Sequence, residues 1–183
     1  MVVARTSLVA SQGARCVAYP LVAISPLEFS LPKPAAYDMF IFTSQNAVTL
    51  FLDKLFSTGV DARAFSRSRI CCIGPKTRDA LTSYGIIADI MAEEFRAEGI
   101  MAMLNEKELA HKKICLPRAR GARAYLREAL EEKGALVDEI FVYETTLPEG
   151  ADKKDFIEAV TGVQTVIFTS PSGFRHAASL LDD

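Results

Sequence analysis

A Thr-Ser pair occurs twice in the chain, each time where an apolar run that predicts a β-strand meets a segment that predicts an α-helix. The pairs end with Ser44 and Ser170, and both follow the residues Ile-Phe. Strand ends of an open parallel sheet bind ligands, because hydroxyl groups and the unpaired N–H groups of the next helix converge there. The alternative is that these hydroxyls only cap the helices. The candidate donors for a carboxylate or phosphate are Thr43, Ser44, Asn46, Thr169, Ser170 and Ser172.

The segment Gly74-Pro75-Lys76-Thr77 is a second candidate anion site, because it also follows a predicted strand and opens a predicted helix. It is not a Walker loop, since Pro75 stands where that motif has the glycine before its lysine. A glycine turn still offers the backbone N–H of Gly74, the Thr77 hydroxyl and the Lys76 ammonium to an anion. A simple capped turn is the alternative.

Six basic residues and no acidic ones lie between positions 112 and 127. Such a run is often only a solvent-exposed face, and that alternative stays open here. Arg118 differs from its neighbours because it ends a predicted strand, so we expect its guanidinium to reach the same sheet edge as Ser44 and Thr77. Arg118 is therefore counted among the substrate-binding candidates.

Tyr143 ends the last strand of the central region, in the sequence Val-Tyr-Glu-Thr. A phenol with a pKa near 10 is neutral at pH 7 and can donate a proton or a hydrogen bond. Tyr143 is thus a candidate weak acid. An amphipathic tyrosine at the edge of the core is the alternative.

The elements that must position these side chains form an α/β pattern. Helical segments carry apolar residues three to four positions apart, as with Val48, Phe51 and Leu52. Strands and helices in alternation predict a parallel sheet that is covered on both faces. The predicted strands are residues 39–43, 69–73, 86–90, 113–116 and 136–143, and the predicted helices are residues 46–56, 76–84, 92–104 and 122–133.

The two ends of the chain predict a second, discontinuous α/β domain. An internal repeat supports two related halves, since Met39 aligns with Thr165 and Ser44 with Ser170 at a constant offset of 126 residues. The predicted terminal elements are strands at Val2–Arg5, Arg15–Tyr19 and Gln164–Thr169 and helices at Asp152–Val160 and from Ser172 onward. The predicted domains are residues 1–20 with 149–183 and an inserted domain of residues 35–142, joined by a linker of residues 21–34 and 143–148.

The composition excludes several function classes. Half of the 183 residues are hydrophobic and 24% are charged, which supports a packed core. No apolar run reaches the roughly 18 residues of a membrane span, and the N-terminus lacks a signal peptide, so we expect a cytoplasmic protein without a membrane partner. A net charge of −2 provides no overall positive electrostatic potential that would attract nucleic acid. Four cysteines without a CxxC pair predict reduced thiols, and two histidines, His111 and His176, predict neither a metal site nor a triad.

Taken in order, these motifs resemble the uroporphyrinogen-III synthase family. The resemblance covers nearly the whole chain and implies two flavodoxin-like parallel-sheet domains, one inserted in the other and joined by a two-stranded linker. That layout agrees with the domain boundaries predicted from the residues. The matching segments are Ile41–Val48, Ile73–Leu81 with Tyr84-Gly85, Arg118 with Gly121–Arg123, Gly134-Ala135, Val142-Tyr143 and Ile167–Ser172.

The resemblance also implies a reaction. The family closes the linear tetrapyrrole hydroxymethylbilane into uroporphyrinogen III in heme biosynthesis, with inversion of ring D, loss of water and no metal or cofactor. The substrate carries eight carboxylates, which require donors spread over a wide cleft. In the Val-Tyr pattern, Tyr143 would be the weak acid beside the leaving hydroxyl. We expect a monomer whose ligand is this tetrapyrrole polycarboxylate.

The sequence departs from the family in its terminal domain. A second copy of the Gly-Pro-Lys-Thr turn is expected 126 residues after Gly74, which is past Asp183. We therefore expect an incomplete terminal domain. Two other functions remain open at this point: a non-catalytic ligand-binding or regulatory module of the same fold, and a flavodoxin-type protein that binds flavin phosphate at residues 43–46.

Overall fold

The computed structural model of the chain describes residues 10–92 and 97–182. The strands are β1 (Ala23–Pro26), β2 (Met39–Phe42), β3 (Arg69–Ile73), β4 (Ile90–Ala92), β5 (Lys113–Ala119) and β6 (Leu136–Thr146). The helices from Gln45 onward are α1 (Gln45–Phe56), α2 (Pro75–Ser83), α3 (Ala97–Met103), α4 (Glu106–Leu109), α5 (Tyr125–Glu132), α6 (Lys153–Val160) and α7 (Pro171–Asp182). Short 3-10 helices lie at Pro34–Ala36 and Ala62–Phe65.

These elements make a mixed α/β fold around one six-stranded sheet, with the order β1-β6-β5-β2-β3-β4. The pairs β2–β3, β3–β4, β2–β5 and β5–β6 are all parallel. Strand β2 lies inside the sheet, where Met39 is opposite Arg69 on one side and Ile114 on the other. The carboxyl ends of these parallel strands therefore lie at one edge, as the sequence predicts.

Helices cover the sheet on both faces, which explains why the inner strand β2 is continuously apolar. All four residues of β2 are buried. Phe40 and Phe42 belong to the cluster on one face, with α1 and α2, and Met39 and Ile41 belong to the cluster on the other face, with α3, α4 and α5. We call these the α1 face and the α5 face.

Helix α1 shows how the sequence sets an element boundary at the sheet edge. Ser44 has an extended backbone, and its Oγ accepts a hydrogen bond from the Ala47 N–H at 3.1 Å. This side-chain cap satisfies one of the N–H groups that a helix start leaves unpaired. Val48, Phe51 and Leu52 then bury one stripe of the helix against the α1 face.

The chain divides into two compact units. The larger unit is Pro26–Glu144, and the other, called here the terminal unit, joins the chain up to Ser25 with the chain from Thr145. The buried apolar cluster of the terminal unit consists of Phe156, Ala177 and Leu180 among the described residues. Across those same residues, no helix combines the length and the apolar character that crossing a bilayer requires.

Two predicted strands of the terminal region are wrong. Residues 15–19 and 164–169 have no strand conformation, and within the described ranges no other strand pairs with them. A β-rich sequence needs a hydrogen-bonded neighbour to form a strand, and Val166 and Ile167 are exposed here. The predicted strand Val2–Arg5 lies outside the described residues.

Strand β4 starts later than predicted, at Ile90 rather than at residue 86. The Asp89 carboxylate accepts the Ile70 N–H at 2.7 Å, so the ladder between Cys71 and Ile90 begins only after it. The predicted linker residues 21–34 contain the strand β1. The helix predicted at residues 92–104 corresponds to α3, although Ala92 ends β4 and residues 93–96 lie outside the described residues. The strands predicted from residues 113 and 136 both extend further, to Ala119 and Thr146.

Candidate active site

The carboxyl-end edge of the sheet in the larger unit brings two of the predicted site residues into contact. Ser44 follows β2, and Tyr143 lies in β6, two strands away across β5. Their hydroxyl oxygens are 3.1 Å apart, so they share a hydrogen bond. Tyr143 is 7% exposed and packs on the α1 face, and Ser44 is half-buried. The edge thus carries a hydroxyl pair in a largely apolar setting.

This pair can present a proton to a ligand. Ser44 Oγ already accepts the Ala47 N–H, and it can donate its own proton to the phenol oxygen. In that arrangement the phenol proton of Tyr143 is left for a leaving group or an acceptor. The geometry is that of a weak acid held by a capping hydroxyl.

The Gly-Pro-Lys-Thr turn has a different structure from the one its sequence predicts as an anion site. Gly74 adopts φ 79° and ψ 157°, a conformation that only glycine tolerates, and its N–H donates to the Ala92 carbonyl at 2.9 Å. That N–H therefore belongs to the sheet. Thr77 is buried at 3% exposure, and Lys76 is exposed on the helix start.

Arg118 is buried, with 4% exposure. Its Nη1 donates to Glu139 Oε1 at 2.8 Å and its Nη2 donates to the Arg123 carbonyl at 2.7 Å. Within the described residues, Arg118 Nε has no hydrogen-bond partner. Glu139, which sequence reasoning missed, holds this guanidinium, and Arg127 Nε lies 3.3 Å from its other carboxylate oxygen.

In the terminal unit, the second Thr-Ser pair repeats the capping bond of the first. Ser170 Oγ accepts the Gly173 N–H at 3.1 Å, three residues on, as Ser44 does from Ala47. Ser172 Oγ accepts weak bonds from Thr145 Oγ1 at 3.4 Å and Arg175 Nη2 at 3.5 Å. Thr169 is exposed. The internal repeat therefore extends from sequence to hydrogen bonding.

Thr43 and Asn46, the remaining candidate donors, are half-buried beside Ser44. Burial raises the pKa of Cys71 to about 12 and that of Cys72 to about 11, so these two thiols are protonated at pH 7. In residues 10–92 and 97–182, no group of His, Cys, Asp or Glu side chains could hold a metal ion.

Comparison with known proteins identifies the family. The family model for uroporphyrinogen-III synthase HemD matches residues 4–183, which is nearly the whole chain. The chain belongs to the uroporphyrinogen-III synthase family. A relative from Methanothermobacter thermautotrophicus is 33% identical over 142 residues, covering 74% of this chain and 54% of that protein. The uroporphyrinogen-III synthase of Synechococcus elongatus is 30% identical over 162 residues, covering 85% of this chain and 59% of that protein.

Solved structures of uroporphyrinogen III synthases share the fold. A mutant of the enzyme from Thermus thermophilus superimposes with a TM-score of 0.62 at 17% identity, covering 85% of this chain and 61% of that one. The enzyme from Helicobacter pylori gives 0.60 at 20% identity, covering 87% and 70%. The chain spans between about one third and two thirds of the length of the curated relatives it matches.

Proposed function

We propose that this chain performs the uroporphyrinogen-III synthase reaction, in which hydroxymethylbilane closes to uroporphyrinogen III with inversion of ring D and loss of water. Family membership supports this reaction class. The observation that carries the proposal is the 3.1 Å contact between the hydroxyls of Ser44 and Tyr143 at the carboxyl-end edge of the sheet. Tyr143 is the residue to which the family's Val-Tyr pattern assigns the acid.

The proposed reaction depends more on how the protein orients the substrate than on charged groups of the protein. The pyrrole itself drives loss of the hydroxymethyl oxygen, so the protein mainly holds the two ends of the linear chain in the orientation for ring inversion. A neutral phenol beside the leaving oxygen then supplies a proton as water departs. The buried Tyr143, fixed on one side by Ser44, meets that requirement.

The proposed substrate contacts are hydroxyls and amides at the helix starts. Neutral donors at several helix starts suit a ligand with many carboxylates, because each forms a hydrogen bond without a strong local charge. Ser170 Oγ accepts a capping bond and keeps its proton to donate, whereas the proton of Ser44 is the one directed to Tyr143. The proposed neutral contacts are Thr43, Ser44, Asn46, Thr77, Thr169, Ser170 and Ser172. The Lys76 ammonium is the one charged member of the set, Gly74 shapes the turn and Tyr143 is the acid.

The proposal includes a domain assignment. We assign the chain two flavodoxin-like domains, with residues 35–142 inserted between residues 1–20 and 149–183 through a linker of residues 21–34 and 143–148. The protein acts as a cytoplasmic monomer that needs no cofactor. The division of the chain near residues 25 and 145 supports this reading.

The isomer of the product tests the proposed function. Unassisted closure of hydroxymethylbilane gives the type I isomer, so freshly made substrate incubated with the protein should yield type III above that background. Heat-denatured protein is the control. If the folded protein yields type I alone, it is not a synthase. Binding of uroporphyrinogen without type III formation would instead identify a non-catalytic module of the same fold.

A further inference from the structure

Strand β6 contains a β-bulge next to Tyr143. Pairing between β5 and β6 proceeds in step from Lys113 opposite Leu136 to Arg118 opposite Phe141. The next pair is Ala119 opposite Tyr143, so Val142 is an extra residue in β6. Such bulges occur beside active sites, where they change the direction of a side chain.

The bulge determines the face on which Tyr143 lies. Side chains alternate along a strand, and Ile140 and Val142 pack on the α1 face while Val137 packs on the α5 face. Regular alternation would put Tyr143 on the α5 face, away from Ser44. Instead Val142 and Tyr143, although consecutive, both belong to the α1-face cluster. The extra residue is therefore what brings the phenol to Ser44.

Arg118 is on the opposite side of the sheet from this hydroxyl pair. In β5, Ile114 and Leu116 pack on the α5 face, and Arg118 follows in the same alternation. Its partners agree with this placement, because the Arg123 carbonyl lies in the segment that leads into α5, and Glu139, the other partner, also contacts Arg127 of α5. A direct contact of Arg118 with a ligand beside Ser44 is inconsistent with that position.

The guanidinium of Arg118 instead ties together the chain segments that define the bulge. One nitrogen holds Glu139 of β6, four residues before Tyr143, and the other holds the Arg123 carbonyl at the end of the β5–α5 loop. The start of that loop donates the Arg120 N–H to the Tyr143 carbonyl at 2.8 Å. The start of the loop is thereby bonded to β6 directly, and its end is linked to β6 through Arg118 and Glu139.

We propose that Arg118 is a positioning residue, which holds the β6 bulge and so keeps the Tyr143 hydroxyl against Ser44, and that it does not bind the substrate. This inference rests on the proposed function in assigning Tyr143 the role of acid. A lysine cannot replace the arginine, because a single ammonium lacks the planar fork that reaches Glu139 and the Arg123 carbonyl together.

The test compares Arg118→Lys and Arg118→Met with Arg127→Met. Arg118→Lys keeps a cation beside Glu139 and favours folding, and Arg127→Met removes the other basic neighbour of Glu139 without touching the Arg123 carbonyl. The first readout is the NMR resonance of Tyr143 in protein labelled with ¹³C-tyrosine, assigned by its loss in Tyr143→Phe. The second is the split between kcat and KM for type III formation.

We expect both Arg118 variants to shift the Tyr143 resonance and to lower kcat by about tenfold to a hundredfold, with KM changed less than about threefold. Arg127→Met should leave both readouts near those of the parent. In a Tyr143→Phe background, Arg118→Lys should cause little further loss of kcat, because the group that it positions is already absent.

An Arg118→Lys variant with an unmoved Tyr143 resonance would overturn the inference. So would a rise in KM at unchanged kcat, since that is the result expected of a substrate ligand. A parent protein that makes only the type I isomer would refute the proposed function alone. The Tyr143 resonance would still decide whether Arg118 holds the bulge.

Discussion

At the scale of single residues, Ser44 and Tyr143 contribute differently to the candidate site. Ser44 is part of a helix cap as well as the hydroxyl pair, so changes at this position affect both folding and chemistry. Tyr143 has its ring packed in the core, and only its hydroxyl distinguishes it from phenylalanine in that position. A substitution of Tyr143 can therefore isolate the chemical contribution.

Tyr143→Phe should slow type III formation by about a hundredfold, the usual loss when a positioned acid is removed. The phenylalanine ring preserves the packing, so we expect the melting temperature and uroporphyrinogen binding to change little. Steady-state kinetics and calorimetric binding measure the two quantities. Equal turnover by variant and parent would reduce Tyr143 to a packing residue.

The two capping serines offer a matched comparison. Ser44→Ala and Ser170→Ala should each cost about 1 kcal/mol of stability through loss of a helix cap. Only loss of a ligand contact should weaken binding of a polycarboxylate. Ser44→Asn and Ser170→Asn serve as controls, because asparagine also caps helices.

Thermal melts and uroporphyrinogen titrations of the four variants separate the two roles. We expect the asparagine variants to melt close to the parent and the alanine variants to melt earlier. The alanine and the asparagine variants should both bind uroporphyrinogen more weakly than the parent. If all four folded variants bind as the parent does, the repeated Thr-Ser pairs are helix caps only.

The sequence predicts some residue roles and not others, for physical reasons. Ser44 stands between an apolar run and a helical pattern, and such a position predicts a cap and a place at the sheet edge. The sequence also predicts Arg118 at the carboxyl end of its strand, where it is buried against Glu139. Its role depends on a partner 21 residues away and on one extra residue in a strand, and neither leaves a local pattern.

At the scale of elements, burial explains which strands were predictable. Strands covered on both faces contain continuous apolar runs, such as Met39–Phe42 in β2 and residues 70–73 in β3, and the sequence predicts both strands nearly to the residue. The strand predicted at residues 164–169 has equally apolar residues, yet these are exposed. The local sequence determines the tendency of the backbone to be extended. A strand forms only where that segment also pairs with a neighbouring strand.

The amino end of β2 is fixed by an acid whose titration can be measured. Asp38 accepts the Lys113 N–H at 2.9 Å and the Lys112 ammonium at 3.0 Å, which lowers the pKa of Asp38 below its ordinary value of 3.8. Since the folded-state pKa is the lower one, the carboxylate stabilises the fold above pH 3.8, and this stability is lost as the pH falls through the folded-state pKa.

Asp38→Asn should therefore destabilise the protein at pH 7 and make its stability less dependent on pH in the acid range. The effect at pH 7 should be below about 1 kcal/mol, because the Asp38 side chain is 43% exposed and water screens its ion pair. Urea unfolding of Asp38→Asn and of the parent between pH 7 and pH 3 measures the free energy of unfolding and its dependence on pH. Parallel pH profiles for Asp38→Asn and the parent would contradict the assignment.

At the scale of the whole molecule, the described residues of the two units form buried cores of very different size. The larger unit buries residues on both faces of its sheet, whereas the described part of the terminal unit has a buried cluster of three residues. Several large apolar residues of the terminal unit, including Val166, Ile167 and Phe174, remain exposed. Buried apolar area is the main source of stability, so the units should differ in their resistance to opening.

Hydrogen exchange followed by mass spectrometry should detect that difference. Amides of α6 and α7 should exchange faster than those of β2, β3 and β5 under native conditions, because few buried contacts oppose their local unfolding. Peptides from α1 provide the internal control for a helix that packs on a full core. Equal protection of α1 and α7 would show that the chain opens as one cooperative unit.

The strand order also sets the sequence of events during translation. Strand β2 pairs on one side with β3, which follows closely, and on the other with β5, where Met39 is opposite Ile114, about 75 residues further along the chain. The ribosome adds roughly 5–20 residues per second, so the edge of β2 that pairs with β5 remains unpaired for several seconds during synthesis. Nascent chains that end before residue 113 should accordingly be protease-sensitive and chaperone-bound, and addition of β5 should end both.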